Sequence, residues 1–213
     1  MFRHVEVVAP FGENSWLVGC PETGAAALVD PGGHIPELLA IAGQQELDVG
    51  QVWLTHAHID HVTGVAEAVE ATGASLSLHP LDRPLYDAVE QQAAMFGLRV
   101  PPLPTPTRWL ETDEVLEIGR LRARVLHVPG HAPGHVAFWF ADLDVVVSGD
   151  CLFAGSIGRT DLPGGSHEVL MQSIRNVLLP LGEQVTVLPG HGPQTTLGRE
   201  RRTNPFLAMS SPG

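Results

Sequence analysis

The sequence predicts a mixed α/β (α+β) fold, a four-layer αββα sandwich in which two sheets face each other with helices outside. Three observations predict it. Short β-prone runs fall into two groups along the chain, and each group is followed by amphipathic helical segments. Hydrophobic residues make up 44% of the 213 positions, enough for a sizeable core. Sheets with an apolar face must bury it, and stacking the two groups face to face under outer helices buries both.

Residues 3–9, 14–19 and 25–30 are β-prone runs divided by Pro10-Phe11-Gly12 and Pro21-Glu22-Thr23-Gly24, which predicts an antiparallel meander. Asp30-Pro31-Gly32-Gly33 ends the third run, with Asp30 expected to cap that turn. Residues 35–45 carry Leu38, Leu39, Ile41 and Ala42 on one side and form an amphipathic helix. A strand over 51–54, a helix reaching about Thr72 and a strand over 75–79 give a β-α-β rhythm, with His79 expected as a surface or turn histidine ahead of Pro80. Residues 82–97 are helical, and the proline-rich stretch 101–106 is a stiff connector. Residues 114–118, 121–128, 137–141 and 145–148 form a second meander. A helix over 166–179 follows, capped by Ser166 with Val169, Leu170, Ile174 and Val177 inward, before a closing strand over 184–188. One domain over residues 1–213 is expected.

Charge and cysteine usage narrow the function. The 24 acidic residues outnumber 12 basic ones, and a formal net charge of -12 argues against nucleic acid or an anionic membrane as partner. Cys20 and Cys151 are the only cysteines and have no Cys-x-x-Cys spacing, so neither a disulfide framework nor a zinc ribbon is expected, and a cytoplasmic location fits. Met1-Phe2-Arg3-His4-Val5-Glu6 does not have the order of a signal peptide, and no apolar run approaches ~18 residues.

The chemistry concentrates in Thr55-His56-Ala57-His58-Ile59-Asp60-His61. Val52-Trp53-Leu54 is apolar and β-prone, so His56 and His58 sit two apart where a strand runs out, point the same way and can grip one cation. Asp60 and His61 fall where the chain turns into a helix and aim elsewhere. Four ligands suited to Zn²⁺, Mn²⁺ or Fe, split into two pairs by that turn, point to two adjacent metals rather than to a solvated histidine cluster. Three more strand ends offer ligands beside glycines: His131 in Pro129-Gly130-His131-Ala132-Pro133-Gly134-His135, Asp150 in Ser148-Gly149-Asp150, and His191 in Pro189-Gly190-His191-Gly192. Asp150 follows the apolar run Val145-Val146-Val147, where an unpaired carboxylate would be costly. His135 is expected to have a supporting or structural role, while His4, His34, His127 and His167 read as ordinary polar residues.

Taken in order, the His56 to His61 stretch with His131, Asp150 and His191 resembles the metallo-β-lactamase superfamily over nearly the whole chain. The resemblance implies that His56, His58 and His131 hold one metal, that Asp60, His61 and His191 hold the other, and that Asp150 bridges them. Gly149-Asp150-Cys151-Leu152-Phe153, Gly158-Arg159-Thr160-Asp161 and Gly190-His191-Gly192-Pro193 look like the glyoxalase II branch, the hydroxyacylglutathione hydrolases. That branch implies a metal-dependent hydrolase of small-molecule thioesters such as S-lactoylglutathione, using two divalent cations, Zn²⁺ foremost with Fe or Mn as alternatives. Attack by a hydroxide held between the cations would be positioned by Asp150 and Asp60, with Arg159 and Thr160 at the substrate. For Arg159, a loop-bracing pair with Asp161 is an equal reading. Longer type II glyoxalases carry a C-terminal helical glutathione-binding domain; the tail here, with Arg199, Arg201 and Arg202 on a solvated helix face, resembles short glyoxalase-II-like hydrolases without it. Persulfide dioxygenases share the fold and a similar Gly-Arg-Thr-Asp stretch, and in that reading His56, His131 and Asp150 would hold a single iron. A metal-binding protein without catalysis is the third reading, opposed by seven ligand-type residues in order.

Overall fold

Alternation along the strands divides the apolar side chains of the computed structural model, which describes residues 1–208, into three separate cores. The first sheet runs in order through β1 (Phe2–Val8), β2 (Glu13–Gly19), β3 (Ala25–Val29), β4 (Asp48–Trp53), β5 (Ser75–Leu78) and β6 (Arg108–Trp109). Pairs from β1 to β3 are antiparallel and those from β3 to β6 parallel. Parallel neighbours need crossovers. These are α1 (Ile35–Gln44), then α2 (Ile59–Val62) with α3 (Val65–Thr72), then α4 (Arg83–Asp87) with α5 (Val89–Met95).

The second half supplies β7 (Val115–Ile118), β8 (Leu121–His127), β9 (Val136–Phe140) and β10 (Val145–Gly149) as an antiparallel meander. A hairpin of β11 (Leu152–Phe153) and β12 (Ser156–Ile157) and then α6 (His167–Ser173) lead to β13 (Thr186–Pro189), which joins β10 in parallel. Strand β14 (Thr195–Thr196) edges β13 ahead of α7 (Leu197–Thr203) and α8 (Pro205–Ala208).

Leu28, Val52, Leu76 and Leu78 pack against Ile35, Leu38, Val65 and Val89 of the outer helices. Their strand neighbours Val29 and Trp53 point the other way, onto Phe138, Phe140, Val145 and Val147 of the second sheet. Val146, Val187 and Leu126 meet Leu170, Ile174, Leu178 and Leu197 on the far side. Three cores between four layers make the αββα sandwich. Trp53 stands 5.1 Å from Phe138 between ring centroids, so the strand end two residues ahead of the histidine stretch is anchored between the sheets.

The helix expected after the histidine stretch is broken into α2 and α3. Gly64 donates its N–H to Pro31 O at 2.9 Å, and a Cβ there would lie 2.6 Å from the same oxygen, so close docking on the turn after β3 interrupts the helix. Residues 82–97 likewise form two helices, parted at Ala88, whose N–H closes a turn on Leu85 O. The helix starting after Ser166 passes into a wide turn over Ile174–Leu178 ahead of Pro180, which has no N–H to continue the ladder. Val169, expected inward, is 37% exposed, because the buried stripe runs through Leu170 and Ile174. No helix among the described residues is long and apolar enough to cross a membrane.

Candidate metal centre

The structure brings all seven ligand-type residues together where β4, β8, β10 and β13 end. His58 is still extended (φ -72, ψ 152), and α2 begins at the next residue, so the chain turns between His58 and Asp60. His131 Nε2 lies 2.7 Å from His58 Nδ1 and 3.2 Å from His56 Nε2. Nitrogens sharing a tetrahedral metal at ~2.0 Å stand roughly 3.3 Å apart, so this triad has the spacing of a cation site. The second group is Asp60, His61 and His191, with Asp60 Oδ2 at 3.1 Å from His191 Nε2 and 3.7 Å from His61 Nε2.

Asp150 stands between the groups. Its Oδ2 is 3.5 Å from both His131 Nε2 and His191 Nε2, and its Oδ1 is 3.4 Å from His61 Nε2. His61 Nε2 and Asp150 Oδ1 are buried without a hydrogen-bond partner. Buried polar atoms are ordinarily satisfied, so two orphans facing a cluster of imidazoles and carboxylates fit a cation between them.

The outward ring nitrogens of His56, His61, His131 and His191 are engaged. Thr55 Oγ1, which donates to Asp30 Oδ2 at 2.6 Å, lies 3.0 Å from His56 Nδ1, and His61 Nδ1 lies 3.1 Å from the same Asp30 oxygen. His131 Nδ1 meets Arg159 O at 2.7 Å and His191 Nδ1 meets Gly12 O at 3.2 Å. Acceptors there place the proton on Nδ1, which leaves each Nε2 lone pair facing inward. One carboxylate, Asp30, therefore orients a histidine in each group. Sequence reasoning gave Asp30 to its own turn; its carboxylate instead reaches Thr55 N at 2.7 Å, Thr55 Oγ1 and His61.

Burial, followed by the crowding of neighbouring imidazoles, holds His56 well below the usual histidine range and pushes His58 down to about 3. Burial likewise lowers His131. These three are neutral donors. Burial acts to lower His61 too, but Asp150, Asp60 and Asp30 outweigh it and raise it well above its ordinary value; His191 is raised against burial by its bond to Asp60 and by Asp150. Burial works to raise Asp150 and Asp60, yet His61 first among their neighbours holds both below the usual carboxylate range.

Of the other residues singled out, His135 is buried, stacks on His56 with centroids 4.8 Å apart and accepts the Asp150 N–H at Nε2. His79 is not at the surface: it is buried, stacked on His127 at 4.6 Å, with Nδ1 taking the Leu81 N–H. The Arg159 guanidinium pairs bidentately with Asp161 at 2.8 and 2.7 Å on the exposed side of its loop, and Thr160 beside it is half-buried. What addresses the site from Arg159 is its carbonyl. Two groups escaped sequence reasoning. Gln92 accepts from Ile59 N and donates to Ala57 O, and Asp82 accepts from Ala57 N and Gly134 N. Both sit in helical stretches with no signal beside them.

An αββα sandwich with two adjoining ligand triads joined by one aspartate defines a metal-dependent enzyme fold, and the chain belongs to the metallo-β-lactamase superfamily, whose model matches residues 8–191. Within it, the chain is 37% identical over 206 residues to hydroxyacylglutathione hydrolase GloC of Haemophilus influenzae, covering 96% of this chain and 97% of that protein. The crystal structure of TTHA1623 in a di-iron-bound form is similar at a TM-score of 0.87 and 46% identity, covering 96% of this chain and 100% of that one. BLEG-1 B3 metallo-beta-lactamase is similar at a TM-score of 0.90 and 34% identity, covering 97% of this chain and 99% of that one.

Proposed function

We propose that this metallo-hydrolase cleaves small-molecule thioesters of the S-lactoylglutathione type with two divalent cations, Zn²⁺ foremost and Fe or Mn as alternatives. One observation carries the proposal: Asp150 lies within 3.5 Å of His131 and His191 and 3.4 Å of His61, so a single carboxylate reaches ligands of both groups. His56, His58 and His131 would hold one cation and Asp60, His61 and His191 the other. Bound there, the cations supply Lewis acidity and a water whose pKa falls towards neutrality.

The chain's residues supply the rest. Asp150 and Asp60, both held ionised, accept hydrogen bonds from the attacking water and fix its direction. The departing thiolate is weakly basic, so no strong proton donor is needed. Phe153 lies edge-on to His191 at 5.8 Å and gives the second group an apolar margin for the acyl or thiol portion. Arg159 braces its loop through Asp161, and Thr160 borders the substrate. The similarity to GloC supports the thioester reading. The two free, buried cysteines support a cytoplasmic location.

The test is to load purified protein with Zn²⁺ and, in a parallel sample, with Fe²⁺, and to follow hydrolysis of S-lactoylglutathione alongside oxygen uptake with glutathione persulfide in each. Thioester turnover without oxygen uptake is expected. Oxygen uptake on the persulfide with no thioester cleavage would instead assign the chemistry to a mononuclear iron dioxygenase.

A further inference from the structure

The three ligands of the first group come from two loops on different sheets. His56 and His58 flank Ala57 in the loop after β4, and His131 lies in the loop from β8 to β9, which also contains Gly134. Between these loops sits Asp82, fully buried at the N-terminus of α4 and making no side-chain capping bond there. Its carboxylate faces the loops instead, Oδ2 accepting the Ala57 N–H at 3.0 Å and Oδ1 the Gly134 N–H. A Cβ on Gly134 would stand 2.5 Å from Asp82 N and 2.8 Å from Oδ1, so the second loop comes this close only because glycine is there.

Burial is expensive for this group and pushes its pKa up to about 6, with the two backbone N–H groups opposing the rise. An acid raised in this way loses stability as pH climbs from its unfolded value to its folded one, so ionising Asp82 is unfavourable and the two N–H groups offset part of that cost. The surrounding bonds share its geometry. Gln92 holds Ala57 O at 3.1 Å and Ile59 N at 3.0 Å, and His127, stacked on His79, meets Pro133 O at 2.9 Å. The bonds of Asp82 reach backbone at Ala57, between His56 and His58, and at Gly134, three residues past His131, whereas those that steady Asp60, His61 and His191 come from Asp30, Gly12 and Asp150.

We propose that Asp82 is a positioning residue for the His56, His58 and His131 subsite, its two oxygens setting the separation of the loops that carry those ligands. The inference rests on the metal-centre reading above. An amide in its place offers only one acceptor, and its NH₂ group would face a backbone N–H, so one loop must move away.

The test is Asp82→Asn, with Gly134→Ala as an independent variant that presses on the same contact. Wild type and variants are titrated with Zn²⁺ against a chromophoric chelator and, separately, with Co²⁺ while the ligand-field spectrum is recorded; the melting temperature of each metal-free protein is also measured. One of the two Zn²⁺ equivalents should weaken by roughly 10- to 100-fold in each variant, the scale of losing a ligand's supporting contact, while the other is retained. The Co²⁺ spectrum of that equivalent should change, and the drop in metal-free melting temperature expected from an unpaired N–H or a pressed contact should not be accompanied by weakening of the other equivalent. Wild-type affinity at both sites in Asp82→Asn would overturn the proposal, as would equal weakening of both sites with a lower metal-free melting temperature, which is the mark of a general structural role. Should Asp82→Asn fail to fold, selective weakening in Gly134→Ala supports the proposal and its absence overturns it. Wild-type protein that binds no Zn²⁺ would sink the metal-centre reading and this inference together, whereas two tight wild-type equivalents with unaffected variants would sink this inference alone.

Discussion

His135 Nε2 accepts the backbone N–H of Asp150 at 3.0 Å, tying the start of β9 to the turn where β10 delivers its carboxylate. The turn is tight: Gly149 has φ 48, and a Cβ on it would lie 2.8 Å from His135 Nε2. The ring also stacks on His56, so one non-ligand histidine touches a first-group ligand and the residue between the groups. His135→Ala should leave a buried N–H unpaired at a cost of about 1–3 kcal/mol. It should also weaken metal binding by roughly 10-fold or more. Thermal melts of metal-free protein and chelator competition measure the two effects.

Asp150→Asn keeps the shape of the side chain and removes its charge. The mutual repulsion of two close cations would then be less offset, and the water would lose an acceptor. We expect unchanged circular dichroism, lower metal occupancy and a kcat reduced by roughly 10²-fold or more at saturating metal and thioester. A near-wild-type kcat with two metals bound would show that Asp150 does not join the groups.

His58→Ala and His61→Ala remove one ligand each from different groups. Elemental analysis should find close to one equivalent lost in either variant, and both should lose most thioester activity. A His61→Ala protein with unchanged metal content and rate would mean that the second group is not used.

The two groups should release metal at different pH. His61 and His191 are raised, so a proton competes for their nitrogens as pH falls towards and below neutrality; His56 and His131 are lowered and His58 is held at about 3, so protons compete less for that group. Dialysis steps from about pH 8 to about pH 5 should therefore remove one equivalent before the other, with the second group emptied first. Simultaneous loss of both would contradict these electrostatics.

The four layers and the seven ligand-type residues were readable because each rests on a local pattern. Val52-Trp53 and Val145-Val146-Val147 alternate between cores, and His131, Asp150 and His191 stand beside glycines where strands end. Asp82, Gln92 and the true partners of Asp30 were not readable, since their hydrogen bonds join residues 25 to 52 positions apart and only the folded chain brings them together. The break at Gly64 has the same origin in a distant carbonyl, Pro31 O. Two-residue strands such as β6, β11, β12 and β14 are too short for any period to reveal.

The central claim is that one carboxylate joins two cation sites, and a crystal structure of Zn²⁺-loaded protein with anomalous data at the zinc edge tests it most directly. Two anomalous peaks are predicted, one within the His56, His58 and His131 triad and one within Asp60, His61 and His191, each with an Asp150 oxygen in its coordination shell. A single peak confined to the first triad, with Asp60, His61 and His191 bonded only to one another, would contradict it.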